Sequence, residues 1–345
     1  MGEDGKRYDL VKAAVSYKDA RVLVTGASGF LGNALMRRLL AYKAKVWCLW
    51  RDIHPYKGLV QLPFGDWHLW RALEDVITGD LRDYSTCERA VAESLPHVIF
   101  HCGAMTQVGH SRIMPLQSYQ TNVMGTVNLL EAVRKIMATG SAVVVASSDK
   151  AYGEPVESPV TEYTRFNPFH PYDASKAAMD MIASSYGKYY DMNVAITRCG
   201  NIYGPGDTNW QRLVPGIFRD IIQNKHPLIR SDGEQVRDYN FISDIVDAYL
   251  LIGHRMGHVN FAGSGYIISA DEHWSVIEMV QMMRRTVSEL KPKRPIVLGK
   301  AQDETKSLVM DGSMFRKEFD WEPRTPLDKG LSITASWLKD YLRSE

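Results

Sequence analysis

Short apolar runs recur along the first two hundred residues, and most are followed by a longer stretch whose apolar positions repeat with a helical period. The runs are RVLVTG (21–26), KVWCLW (45–50), HVIFHC (97–102), AVVVAS (142–147) and NVAITR (193–198). They are continuously hydrophobic rather than alternating, as strands buried on both faces of a parallel sheet must be. Helices are predicted near 30–42, 84–94, 117–138 and 173–190. The alternation predicts a doubly wound α/β fold. After Arg198, glycine and proline break the rhythm in CGNIYGPGD and HPLIRSDGEQ, and a helical pattern returns at 243–255. Further on come a helix near 274–290, a short PIVL strand and an amphipathic terminal helix around 326–343.

Composition narrows the classes of partner. Lys and Arg total 41 against 40 Asp and Glu, a net charge of +1, so no global field draws the chain to nucleic acid or an anionic membrane. A small ligand is expected instead. The four cysteines, Cys48, Cys87, Cys102 and Cys199, lie far apart and read as reduced thiols, and no histidine spacing is read as a metal motif. The polar start MGEDGKRYDL lacks a signal-peptide core, and Lys6 stands where a myristoylation motif wants Ser or Thr, so the expected location is cytoplasmic. Trp47, Trp50, Trp67 and Trp70 are expected to pack core and loop surfaces rather than to stack on bases.

VTGASGFLG places Gly26, Gly29 and Gly32 directly after the first predicted strand and at the start of a helix. Such a turn lets backbone amides approach a pyrophosphate, and the helix dipole favours the negative charge. Gly26, Ser28, Gly29, Phe30, Leu31 and Gly32 are therefore expected to line a nicotinamide dinucleotide in a Rossmann-type fold. After the second strand stand Arg51 and Asp52: a carboxylate there selects NAD, an arginine suits the extra phosphate of NADP, and the pair leaves the choice open. HCGAMT, with Cys102, Gly103, Ala104 and Thr106, is the next expected cofactor-lining loop. The expected division is an N-terminal extension (1–19), a dinucleotide-binding domain (20–198, rejoined by 240–262) and a smaller substrate-binding region (199–239 and 263–345), with a cleft between the two.

YDASK sets Tyr172 and Lys176 one helical turn apart on one face. A phenol acts as a base near neutrality only if its pKa is lowered, which a neighbouring ammonium would do. Ser148 could then bond the reacting hydroxyl. It opens the triplet Ser148-Asp149-Lys150, placed where the apolar run 142–147 leaves the core.

Together RVLVTGASGFLG, TNVMGTVNLLEA, HPYDASK, TRCGNIYGPGD, VRDYNFISDIVDAYL and DWEPRTPLDKGL resemble the extended short-chain dehydrogenase/reductases that modify nucleotide-diphosphate sugars. The resemblance implies that Asp80 and Leu81 meet the adenine side of the cofactor and that Asn122 is a fourth member of the catalytic set. It also implies that Thr106, Asn201, Arg212 and Arg237 meet the substrate, and that the helices around 124–137 and 176–186 form a homodimer. Arg237 suits a diphosphate because guanidinium pairs with phosphate in bidentate fashion. Ser-Asp-Lys after the strand is similar to the 4,6-dehydratases, and most to the CDP-glucose 4,6-dehydratase branch, with Ser148 where threonine is frequent and Lys150 where many members have glutamate. The implied reaction removes hydride from C4 with Tyr172 as base, a proton from C5 by Lys150 and water from C6 with Asp149 as acid, then returns hydride to C6. A sugar 4-epimerase, in which Asp149 and Lys150 only position substrate, is the alternative.

Overall fold

The computed structural model describes residues 12–51, 71–137, 141–299 and 305–344. Its first six strands are β1 (Arg21–Thr25), β2 (Lys45–Trp50), β3 (Asp75–Thr78), β4 (Val98–His101), β5 (Ala142–Ala146) and β6 (Val194–Cys199). Four follow: β7 (Asn201–Tyr203), β8 (Leu228–Ile229), β9 (Val236–Phe241) and β10 (Ser264–Ile268). A seven-stranded sheet runs β10-β6-β5-β4-β1-β2-β3, and every pairing in it is parallel. This is the Rossmann-type α/β fold that the sequence pattern predicts. The apolar continuity has the expected cause, for successive residues of one strand serve opposite layers. Val22 and Val24 join one core while Leu23 joins the other; likewise Val144 and its neighbours Val143 and Val145 divide. Helices Phe30–Ala41 and Ile242–Arg255 cover the first face; Tyr84–Ser94, Gly125–Ile136 and Pro171–Tyr190 cover the second.

The strand at 264–268 lies on the edge of the large sheet against β6, so the segment that returns there runs past 262. The strand leaves no mark in the sequence pattern because SGYII holds only three apolar residues behind a glycine-rich turn. Beyond the large sheet, β7 and β9 pair in parallel, and His273–Ser275 adds to β9 antiparallel. The helix expected near 274–290 starts at Val276, where Ser275 and Glu278 form a capping box, and ends at Thr286. Helices Leu213–Ile222 and Ser313–Phe319 were not predicted.

Part of the N-terminal extension packs on the core: residues 12–17 are helical, and the Tyr17 hydroxyl, buried, donates to the Leu250 carbonyl at 3.0 Å. His254 and His258 stand at i,i+4 with ring centroids 5.7 Å apart, and His254 Nδ1 lies 2.8 Å from Ser16 Oγ. Among the described residues no group of three His, Cys, Asp or Glu could hold a metal ion, and no helix is long and apolar enough to cross a membrane.

Candidate active site

The carboxyl ends of β1, β4, β5 and β6 open into one cavity of about 840 Å³, lined by residues that follow each strand: Gly26, Cys102, Ser148 and Gly200. Strand order reverses between β1 and β4, the switch point at which open α/β sheets take ligands. Gly26 has φ +68, and a Cβ there would lie 2.7 Å from the Cα of Gly103. The two loops can touch because residue 26 is glycine, while a Cβ at Gly103 would meet the Leu81 side chain at 2.6 Å. Gly103 is thus packed behind the cavity wall, while Cys102, Ala104 and Thr106 line it.

Ser28, Gly29, Phe30, Leu31 and Gly32 line the same cavity at the start of helix Phe30–Ala41. Its N-cap, Gly29, offers no side chain to the first amides, and the first turn holds no acid. An uncapped, acid-free N-terminus facing a cavity suits a pyrophosphate, so the residues present fit a dinucleotide. Of the adenosine-side candidates, the described ones, Arg51, Asp80 and Leu81, stand apart from the cavity lining. Leu81 is buried, Asp80 is paired with Arg82 at 2.7 Å, Arg51 is exposed, and Asp52 lies outside the described residues.

The chemistry-bearing residues come from two elements. After β5 the chain turns through a short 3₁₀ helix, Asp149–Tyr152, whose N-cap Ser148 accepts the Lys150 N–H through its Oγ at 3.2 Å. Ser148 Oγ also donates to Asp149 Oδ1 at 2.8 Å. Asp149 is only 4% exposed, so it is no surface partner of Lys150. Facing the turn is helix Pro171–Tyr190, started two residues earlier than predicted by Pro171 at N1 and by His170, whose Nδ1 accepts the Tyr172 N–H at 3.3 Å. Tyr172, Lys176, Ser148, Asp149 and Lys150 all line the cavity.

One electrostatic expectation is corrected. Burial, and after it the charge of Asp149, holds the Tyr172 phenol above its ordinary value. Lys176 does not offset this: its Nζ donates to the Ala146 carbonyl at 2.9 Å, and burial pushes its own pKa down to about 8. The charge of Arg212, and after it the Ser148 hydroxyl, favour the phenolate instead.

Asn122 does not reach the cavity. The predicted helix 117–138 is interrupted by a π turn, Tyr119–Met124, that buries Asn122. Its Nδ2 donates to the Met105 carbonyl at 3.1 Å and to Ser175 Oγ at 2.8 Å, and its Oδ1 accepts the Met105 N–H at 2.7 Å. It ties the 102–106 loop to the helix carrying Tyr172, a positioning task. His101 buttresses the floor between Thr25 (2.8 Å) and Thr126 (3.0 Å), and burial lowers its pKa to about 3.

Of the substrate candidates, Thr106, Asn201, Arg212 and Arg237 line the cavity. Arg212 pairs with Asp207 at 3.2 Å and lies over the Phe30 ring at 5.9 Å. Arg237 donates to the backbone carbonyls of Val236 and Thr305. The neighbouring acids are engaged elsewhere: Asp238 accepts from Asn240 Nδ2 at 2.7 Å, and Asp244 accepts the Thr325 N–H at 3.0 Å. Arg237 is thus buried at the cavity wall with its guanidinium held by backbone carbonyls.

Sequence reading passed over His170 and Asp173, which also line the cavity. Asp173 directly follows Tyr172 inside YDASK, a signal available in the sequence. Burial raises its pKa from 3.8 to about 6, against the opposing pull of Lys150 and, more weakly, Arg237. A carboxyl whose folded pKa lies above its unfolded value contributes stability below the lower value and loses it as pH rises through the higher. Asp173→Asn is therefore expected to flatten the fall in melting temperature between about pH 4 and pH 6. An unchanged profile would mean that this carboxyl is not the group titrating there.

Comparison with known proteins agrees with this geometry. Residues 23–334 match the family model described as GDP-mannose 4,6 dehydratase. The chain is 29% identical to a UDP-glucose 4-epimerase of Mycolicibacterium smegmatis, covering 93% of this chain and 99% of that one. It is 27% identical to the CDP-glucose 4,6-dehydratase of Salmonella typhimurium, covering 95% and 93%. The crystal structure of dTDP-glucose 4,6-dehydratase from Bacillus anthracis in complex with NAD superposes with a TM-score of 0.77 at 28% identity, covering 92% and 95%.

Proposed function

The chain belongs to the GDP-mannose 4,6 dehydratase family, and from that premise we propose that it is an NAD-dependent nucleotide-diphosphate-sugar 4,6-dehydratase acting on CDP-glucose. The observation that carries the reading is the turn after β5, which sets a buried carboxyl and an amine, Asp149 and Lys150, in the same cavity as Tyr172. A pure 4-epimerisation has no step for that second acid and base.

Gly26, Ser28, Gly29, Phe30, Leu31 and Gly32 would hold NAD, which would supply the hydride acceptor for sugar C4 and the hydride donor for C6. Tyr172, in the phenolate form that the charge of Arg212 and the Ser148 hydroxyl favour against burial, accepts the proton of the 4-hydroxyl. The ketone formed acidifies C5, and Lys150 removes that proton and later returns it. Asp149 hands a proton to the 6-hydroxyl as it departs as water. Arg237 is read as the diphosphate contact, with Arg212 and Asn201 along the sugar. The likeness to the Salmonella typhimurium CDP-glucose 4,6-dehydratase supports the choice of nucleotide. A homodimer is supported by helices Gly125–Ile136 and Pro171–Tyr190, which pack side by side while Met124, Met181 and Tyr189 in and beside them stay exposed.

The test is mass spectrometry of the protein incubated separately with CDP-glucose, UDP-glucose, GDP-mannose and dTDP-glucose. A product lighter by one water, formed fastest from CDP-glucose, is expected. The epimerase-named relative favours a second reading, a 4-epimerase. An isomer of unchanged mass would establish that reading and overturn the first.

A further inference from the structure

His101 ends β4 directly before the 102–106 loop, is buried, and has no step in the proposed reaction. Its two ring nitrogens meet two buried threonine hydroxyls, Nδ1 with Thr25 Oγ1 at 2.8 Å and Nε2 with Thr126 Oγ1 at 3.0 Å. The other bonds of those hydroxyls fix where the ring carries its proton. Thr126 gives its single proton to the Asn122 carbonyl at 2.6 Å, and a carbonyl has none to give back. The Thr126 oxygen can therefore only accept from the ring, which puts the proton on Nε2. Burial, and after it the charge of Lys176, pushes the ring pKa down to about 3, so Nδ1 is bare. Nδ1 then accepts the Thr25 proton, and the Thr25 oxygen is left to accept the Gly103 N–H at 3.0 Å. The opposite tautomer would set a bare Nε2 against a lone pair of Thr126 and leave the buried Thr25 proton without an acceptor, which is costly.

With the proton on Nε2 every donor along the path has its acceptor. Gly103 donates to Thr25, Thr25 to His101, His101 to Thr126 and Thr126 to the Asn122 carbonyl. The Asn122 side chain holds both backbone groups of Met105, at 2.7 and 3.1 Å. The path thus leaves the 102–106 loop at Gly103 and returns to it at Met105, a closed circuit. A branch runs from Asn122 Nδ2 to Ser175 Oγ at 2.8 Å, and Ser175 donates to the Tyr172 carbonyl at 2.7 Å. Cys102, Ala104 and Thr106 of the braced loop line the cavity, and Thr25 adjoins Gly26 of the glycine turn.

We propose that His101, as the neutral Nε2–H tautomer, is a positioning residue for oxidation at sugar C4: it locks the cofactor-facing loop, the glycine turn and the helix carrying Tyr172 into one unit whose parts cannot shift independently. The role rests on the oxidation step of the proposed function, with which dehydration and 4-epimerisation both begin. It acts through Thr25, Thr126 and Asn122, and the ring itself touches neither sugar nor cofactor. A misplacement of about 1 Å at such a site costs about 10²-fold in rate.

Two measurements test it. Nitrogen NMR of the resting protein labelled in its histidine rings, with His101 assigned through its contacts to the Thr25 and Thr126 methyl groups, is expected to show Nε2 protonated and Nδ1 bare. A ring protonated on Nδ1, or on both nitrogens, overturns the circuit without recourse to any variant. The second measurement follows the absorbance of reduced nicotinamide in a single turnover of NAD-loaded protein at saturating sugar nucleotide. Thr126→Val removes the acceptor for Nε2–H and is expected to slow nicotinamide reduction about 10²-fold, whereas Thr126→Ser keeps the hydroxyl and should run close to wild type. A folded Thr126→Val protein that melts earlier but reduces nicotinamide at the wild-type rate, or a Thr126→Ser protein as slow as the valine variant, overturns the positioning role. A wild-type protein that reduces no nicotinamide with any of the four sugar nucleotides overturns the reaction reading and the positioning role with it, while the ring signal still decides the tautomer.

Discussion

Lys150→Met is expected to stop the reaction between oxidation and elimination, lowering water loss by about 10²–10⁴-fold, the usual span for removing a general base. Methionine has nearly the length of the lysine stem and no basic nitrogen, so the 3₁₀ turn, which is held by Ser148 and by Tyr152, keeps its shape. On the proposed reading, oxidation at C4 rests on Tyr172 as base, which the substitution does not touch. The variant should therefore release or retain a 4-keto sugar with its 6-hydroxyl intact. Full dehydration by the variant would remove Lys150 from the base role. Undiminished isomer formation in both forms would instead favour the epimerase.

Much of this arrangement is legible in the sequence, and where it is not the reason is physical. The strands of the large sheet are buried on both faces, so five of them announce themselves as unbroken apolar runs; β10 lies at an edge and opens with Ser264 and Gly265, leaving only three apolar positions and no such mark. The glycine turn is legible because Gly26 needs φ +68 and contact with Gly103, which no other residue allows. Tyr172, Lys176 and Ser148 are found by spacing. What spacing cannot give is environment. The Lys176 ammonium donates to the Ala146 carbonyl, and Asn122 braces a loop from inside a π turn. Both depend on contacts between residues 17 to 53 positions apart, such as Asn122 with Met105 and with Ser175. Asp173 was visible in YDASK, yet its importance comes from sharing the cavity with Lys150 and Arg237, a fact of the folded chain.

Arg198→Ala is expected to destabilise the protein by about 3–5 kcal/mol, because it leaves a buried carboxylate without its partner. Arg198, near the end of β6, grips Asp180 of the catalytic helix through two hydrogen bonds of 2.9 and 2.8 Å and donates to the Tyr152 hydroxyl at 2.9 Å. Tyr152 closes the turn that carries Asp149 and Lys150, and its ring meets Phe166 edge-on at 5.1 Å under the same guanidinium. One side chain thus fixes the turn with the acid and base against the helix with Tyr172. At about 2–4 °C per kcal/mol the melting temperature should fall on the order of 10 °C. Stability and alignment can be separated by the double variant Arg198→Met with Asp180→Leu, which removes both buried charges and should recover most of the stability, as buried pairs replaced by apolar residues do. Water loss should not recover with it, since methionine cannot hold Tyr152 by a hydrogen bond. A double variant that regains both melting temperature and dehydration would reduce the clamp to a purely structural ion pair, leaving the geometry of the acid–base turn to the Ser148 cap alone.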